Sequence, residues 1–253
     1  VWFARANAED FALRTDGLAG GARLRARVVV LAVGAMERPA LVPGWERPGA
    51  MTIGAAQTLV RRYGVPPGER VLVAGHGPLG LQLGVELSRA GAQVVAVAER
   101  ARLRPGPALV HMAAANPSLT REGIGYRLGL LRAGIPLLDG WEVTEILGVA
   151  AVEGARLRNL ASGREREIAA DTVCIGDGFA PQSELARLLG VPVGIDPATG
   201  ATVPRRDEDG ATAVPGLWIA GDAGGLGGAA LAEVQGRFAG AAVLRHLGHR
   251  APG

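Results

Sequence analysis

Two stretches of the sequence have the makings of a ligand site: Gly75-His76-Gly77-Pro78-Leu79-Gly80 with Glu99, and Gly221 with Asp222. In the first, Gly75 permits a tight turn, Gly77 lets the backbone approach a pyrophosphate, and Gly80 lets the next helix pack closely on its strand. Pro78 and Leu79 open that helix, whose N-terminus would face the phosphates. Glu99 follows at roughly the 20-residue distance where a carboxylate accepts from adenosine ribose hydroxyls. A carboxylate repels a 2′-phosphate and favours NAD over NADP. Arg100, Arg102 and Arg104 come directly after it, however, and could neutralise that phosphate. NAD, NADP and another adenine nucleotide such as ATP all stay open.

The second place carries different chemistry. The apolar run 217–220 delivers Gly221 and Asp222 to the C-terminal end of a strand, where open α/β sheets bind ligands. A carboxylate there can accept from the ribityl chain of a flavin. The glycine-rich loop 223–228 and the helix after it would aim a positive helix end at the pyrimidine side of the flavin ring. No catalytic residue can be nominated, since no acid/base pair stands out. His111, His246 and His249 lack metal-ligand spacing, so no metal site is expected.

Strands, turns and helices along the chain hold both stretches. A meander over 11–31 feeds a buried strand at 27–33, which ends at Gly34 and Ala35. A turn-rich connector and a helix near 52–63 lead to the boundary at 65–68. A βαβ pattern begins at residue 70, with strand 71–74, helix 79–90 capped by Gly91, and strand 93–98. A less regular stretch, 101–117, precedes a helix near 120–133. Strands follow at 135–138 and 142–149, then a hairpin of 154–160 with 164–169, then a closing strand at 171–176 holding Cys174. A short helix N-capped by Ser183, a strand at 217–220 and a long helix at 229–247 complete the chain. Gly236 and Gly240, four apart, would give that last helix a flat face for close packing.

Composition narrows the classes. The chain has 253 residues, 48% of them hydrophobic, enough for one large core or two moderate ones. No apolar run reaches the roughly 20 residues of a membrane span, so no membrane span is expected and a cytoplasmic location is. All 27 basic residues are arginine, set against 24 acids and scattered without an aromatic-interleaved stripe. Nucleic acid is therefore not the expected partner. With no lysine there is no Schiff base and no P-loop lysine. The single cysteine, Cys174, rules out an internal disulfide or a CxxC pair within these residues, and inside a strand it reads as an inert thiol.

The segments Ala32-Val33-Gly34-Ala35-Met36-Glu37-Arg38-Pro39, Pro43-Gly44-Trp45 and Pro48-Gly49 resemble the pyridine nucleotide-disulfide oxidoreductase superfamily. Residues 49–59 with the glycine loop, and 176–185 at a second strand end, resemble one branch. That branch contains the alpha-type subunits of opine oxidases, hydrogen cyanide synthase and dye-linked proline dehydrogenases. The resemblance implies an α/β fold of two Rossmann-like domains, the NAD-type domain inserted into an incomplete FAD-type domain. Residues 1–66 would hold the end of the first FAD segment and a connector, 67–178 the NAD(P)-type domain, and 179–253 the returning FAD segment. Gly34, Ala35, Gly221 and Asp222 would contact FAD; Gly75, Gly77, Pro78, Leu79, Gly80 and Glu99 would contact NAD(P) or another adenine nucleotide. The implied activity is FAD-dependent oxidation of an amine or amino-acid-like substrate, with a partner subunit of the amino-acid-oxidase type. The alternatives are NAD(P)H-dependent flavin reduction and a nucleotide-holding subunit without catalysis. Against the resemblance, the first FAD fingerprint is expected ahead of Val1, and the branch's cysteine-rich segment after the last helix is absent. The chain thus reads as a fragment or a shortened relative. The lack of a CxxC disfavours disulfide-reductase chemistry.

Overall fold

Alternation within one short strand sets the architecture around the glycine loop. Val71 and Val73 point to one face and Leu72 and Ala74 to the other, and all four are buried. In the computed structural model, which describes residues 3–6, 10–15, 22–102, 114, 117–197 and 199–249, that strand is the centre of a five-stranded parallel sheet. The chain divides into two units, Glu37–Gly178 and the combination of Val1–Met36 with Phe179–Gly253.

In the unit Glu37–Gly178 the sheet order is β6 (Ala50–Met51), β13 (Thr172–Ile175), β7 (Arg70–Gly75), β8 (Gln93–Glu99) and β9 (Leu137–Asp139). Helices α1 (Ile53–Tyr63), α2 (Pro78–Arg89) and α3 (Pro117–Arg132) cover one face through Ile53, Leu83, Leu87 and Leu130. The other face is covered by an antiparallel meander of β10 (Trp141–Leu147), β11 (Gly154–Asn159) and β12 (Glu165–Ala169), which contributes Val143, Ile146 and Leu157. The result is three layers, with strands β7, β8 and β13 apolar on both sides as a covered parallel sheet requires. The connector holding α1 is part of this unit, because β6 pairs with β13 and α1 joins the helical layer.

The other unit contains an antiparallel sheet of β1 (Phe3–Ala6), β2 (Phe11–Thr15) and β3 (Ala22–Ala26). It also has a parallel pair, β4 (Val29–Leu31) with β17 (Leu217–Ile219), and a crossover pair, β5 (Ala35–Glu37) with β14 (Phe179–Pro181). A hairpin of β15 (Val193–Ile195) and β16 (Thr202–Pro204), the short α4 (Glu184–Leu188) and the long α5 (Gly228–His246) complete it. Trp218 is buried in β17 against Ala239 and Ala242 of α5, its ring edge-on to His246 at 5.0 Å.

Several sequence expectations change here. The strand expected to be buried over 27–33 is three residues long, and Val30 is 41% exposed, because among the described residues β17 is its single neighbouring strand. Among the described residues Gly236 and Gly240 pack against nothing: a Cβ on either would have no neighbour within 4 Å. Ser183 takes the N-cap position with its backbone already helical, and its hydroxyl makes no capping bond. Ala90 is the C-cap of α2, and Gly91 follows it with φ +90°. Residues 103–113, most of the irregular stretch, lie outside the described residues, as do Arg104, His111 and the meander's turn.

Candidate functional site

The glycine loop sits where β7 ends and α2 begins. Gly77 is the N-cap of α2 with φ +94°, a conformation that favours glycine, and Pro78 is in the first turn, where its missing N–H costs nothing. Gly75 is needed for a close approach, since a Cβ there would come 2.9 Å from the Gly176 carbonyl oxygen. Gly80 differs from expectation: a Cβ would make ordinary 3.7 Å contacts with Ile53 and Val73. The close packing of α2 depends instead on Gly84, where a Cβ would meet Val97 at 2.7 Å and Leu130 at 3.0 Å.

Glu99 ends β8 and is 5% exposed. Its carboxylate accepts the Gly77 N–H at 3.0 Å and the Ala101 N–H at 2.9 Å, with His76 Nδ1 3.5 Å away. Burial pushes its pKa above the usual carboxylate range, and the two backbone N–H bonds oppose that shift. The acid expected to meet a ribose therefore also ties down the glycine loop. A carboxylate offers about four lone-pair sites, so room to accept from a ribose hydroxyl is left. Leu79 and Gly80 supply the next amides of the α2 N-terminus. These residues fit an adenine nucleotide.

Of the arginines after Glu99, Arg100 and Arg102 are among the described residues. Arg100 bonds Asp177 at 3.0 Å and approaches Glu142 at 3.6 Å, so it is already paired and is not free for a 2′-phosphate. Arg102 is exposed beside Gly140. Beyond Glu99, Asp139 lies opposite it on β9 and holds Arg127 of α3 through two bonds of 2.8 and 2.9 Å.

Strand order reverses direction between β7 and β13, and ligands in open α/β sheets bind at such a point. Gly176 N–H donates to the Ala74 carbonyl there at 3.1 Å. A cavity of about 190 Å³ opens beside it, lined among others by Gly75, Arg100, Glu142, Gly176 and Asp177. Pockets for whole small molecules run to roughly 300–1,000 Å³, so this one would take part of a ligand. Sequence reading did not single out Glu142 or Asp177 as site residues. A Gly-Asp pair closing an apolar strand was the available signal for Asp177, and Glu142 had none. Cys174 is fully buried in β13, its thiol pushed up to about 12 by burial, which makes it a poor nucleophile.

In the other unit, Leu31 of β4 is in register with Ile219 of β17, so the turns at Gly34 and at Gly221-Asp222 leave the same edge of a parallel pair. Gly34 has φ +74° and accepts the Gln182 N–H at 3.0 Å; Ala35 starts β5. Gly221 has φ +69°, and its N–H donates to Gln235 Oε1 at 3.0 Å. Asp222 Oδ1 accepts from Gly227 and Gly228 at 2.8 and 2.9 Å, which fastens the loop to the start of α5. The first amides of α5 are thus already used, leaving those of Ala229 and Ala230, both exposed, to face a ligand. Oδ2 of Asp222 and these amides fit the ribityl and ring edges of a flavin.

The sequence matches the family profile described as pyridine nucleotide-disulphide oxidoreductase over residues 4–236. It is 33% identical to the A-type component of opine oxidase from Rhizobium meliloti, over 89% of this chain and 50% of that protein. It is 30% identical to the HcnB component of hydrogen cyanide synthase from Pseudomonas protegens, over 87% of this chain and 48% of that one. The chain thus spans about half the length of these curated relatives. Among solved structures, T. acidophilum thioredoxin reductase superposes with a TM-score of 0.69 at 21% identity, over 96% of this chain and 72% of that one. No helix among the described residues is long and apolar enough to cross a membrane.

Proposed function

The chain belongs to the pyridine nucleotide-disulphide oxidoreductase family, whose members are FAD-dependent oxidoreductases, and from that premise we propose that it serves an FAD-dependent oxidation of an amine or amino-acid-like substrate. The observation that carries the reading is the register of β4 with β17, which sends Gly34 and Gly221-Asp222 off one edge. FAD, when bound, supplies the hydride acceptor. Asp222 would accept from a ribityl hydroxyl, and the α5 N-terminus would favour negative charge at the ring edge beside it. Gly221, held by Gln235, keeps that turn in place. The curated relatives named above are subunits of oxidase and synthase complexes, which supports a partner of the amino-acid-oxidase type that carries part of the amine oxidation.

In the unit Glu37–Gly178, the glycine loop and Glu99 would hold an adenine nucleotide, NAD(P) among the choices. This supports a second reading, NAD(P)H-dependent reduction of the flavin, and a third, a subunit that holds nucleotide without catalysis. Anaerobic flavin bleaching separates them. Bleaching by an amino acid or opine in the presence of the partner supports the first reading, and rapid bleaching by NADH supports the second. A colourless full-length protein that still binds ATP would sink both and leave the third.

A further inference from the structure

We propose that the hairpin of β15 and β16 forms one wall of a binding site for a small oxyanion, a carboxylate or a phosphate, read by Arg206. The hairpin pairs Val193 with Pro204 and Ile195 with Thr202. A cavity of about 580 Å³ lies between it, Gly224 and Gln235 of α5, within the range of small-molecule pockets. Arg206 enters this space half-buried. Its Nη1 donates to the Ile219 carbonyl at 2.7 Å and its Nη2 to Gln235 Oε1 at 3.1 Å. Those bonds engage two of the five N–H donors of a guanidinium and hold its plane fixed.

No carboxylate pairs with Arg206 among the described residues, whereas partly buried Arg127 has one in Asp139. A guanidinium drawn out of water without a counter-charge is costly, and burial lowers the Arg206 pKa accordingly. Gly224 makes the space for it: a Cβ there would overlap the Arg206 Nε and Cζ. Arg205 adds a second cation over the hairpin, its Nη2 3.5 Å from where a Gly194 Cβ would stand. The acids of the lining form no ion pair with either arginine among the described residues. Asp207 accepts the Ala211 N–H at 2.7 Å within its own turn, and Glu208 is exposed. An oxyanion with two coplanar oxygens can accept from the N–H donors that this held guanidinium has left.

The test is calorimetric titration of the protein, in buffer free of both probes, with sodium phosphate and separately with sodium succinate. Saturable binding of one probe is expected, and the probe that binds tells phosphate from carboxylate. Arg206→Met should weaken it by about tenfold or more, and Arg206→Lys, which keeps the charge but loses the fork, by less. Gly224→Ala displaces the guanidinium without changing charge and should weaken binding as Arg206→Met does. That second variant decides the matter if Arg206→Met fails to fold. Absence of binding by either probe overturns the proposal, as does wild-type affinity in Arg206→Met or Gly224→Ala. The readout needs no flavin, so its failure is separate from failure of the FAD reading.

Discussion

Replacing Gly80 and Gly84 of α2 by alanine, one at a time, separates the glycine that the fold requires from the one that the loop pattern highlights. Each change adds a single methyl group to the same helix, so any gain in helix propensity, up to about 1 kcal/mol, is broadly common to both and falls out of their difference. What remains is packing. At position 80 the new methyl makes 3.7 Å contacts with Ile53 and Val73, which are ordinary. At position 84 it meets Val97 at 2.7 Å and Leu130 at 3.0 Å, in a layer where both neighbours are fully buried, and something must shift. Overpacking of this kind costs about 1–3 kcal/mol. Gly84→Ala should therefore be about 1–3 kcal/mol less stable than Gly80→Ala, which itself should be neutral or slightly stabilised. Urea unfolding followed by circular dichroism, with the slope unchanged, measures this directly. Equal stability of the two variants, or a larger loss at Gly80, would refute the packing argument.

Other outcomes follow from the same structure. Because burial raises the folded-state pKa of Glu99, the stability this group contributes is full below its unfolded value of about 4.5 and is lost as pH rises through the raised value. Wild type should thus lose stability relative to Glu99→Gln as pH rises from 4.5, a trend read from unfolding curves of both at several pH values; a relative gain instead would contradict the shift. Gly236→Ala and Gly240→Ala, whose methyl groups enter open space inside α5, should each stabilise by about 0.5–1 kcal/mol in thermal melts. Cys174, fully buried with its thiol near 12, should react with a disulfide reagent at mildly alkaline pH only after denaturation.

Local pattern made much of the central unit readable. Val71 to Ala74, the glycine loop and the apolar run after Gln93 have the periods of strand, turn and strand, and β7, α2 and β8 stand within a residue or two of where the sequence puts them. The hairpin of β11 and β12 was equally plain from Ser162 and Gly163 between two strand-like runs. What escaped the sequence depends on distant partners. Gly84 matters because Val97 and Leu130 come to it from other elements. Glu37 caps α1 from the preceding segment, accepting from Ile53 and Gly54, and its carboxylate lies where a Gly176 Cβ would go. The bond between Glu99 and Gly77 joins residues that a motif treats as separate contacts. The exposure of Val30 was unreadable for the same reason, since a strand's burial depends on its neighbours in the sheet. Gly236 and Gly240 have the spacing of a packing face, but spacing does not supply the partner.

The affinity of the full-length protein for FAD, with and without the Asp222 carboxylate, tests the flavin site directly. Losing a hydrogen bond to a charged acceptor costs about 1.5–3 kcal/mol, which corresponds to a fall of roughly 10- to 150-fold. Asp222→Ala should lower the affinity by that much in fluorescence titration of the apoprotein, with the fold intact by circular dichroism. Unchanged FAD affinity in Asp222→Ala, or no FAD binding by the full-length protein at all, would contradict the FAD reading.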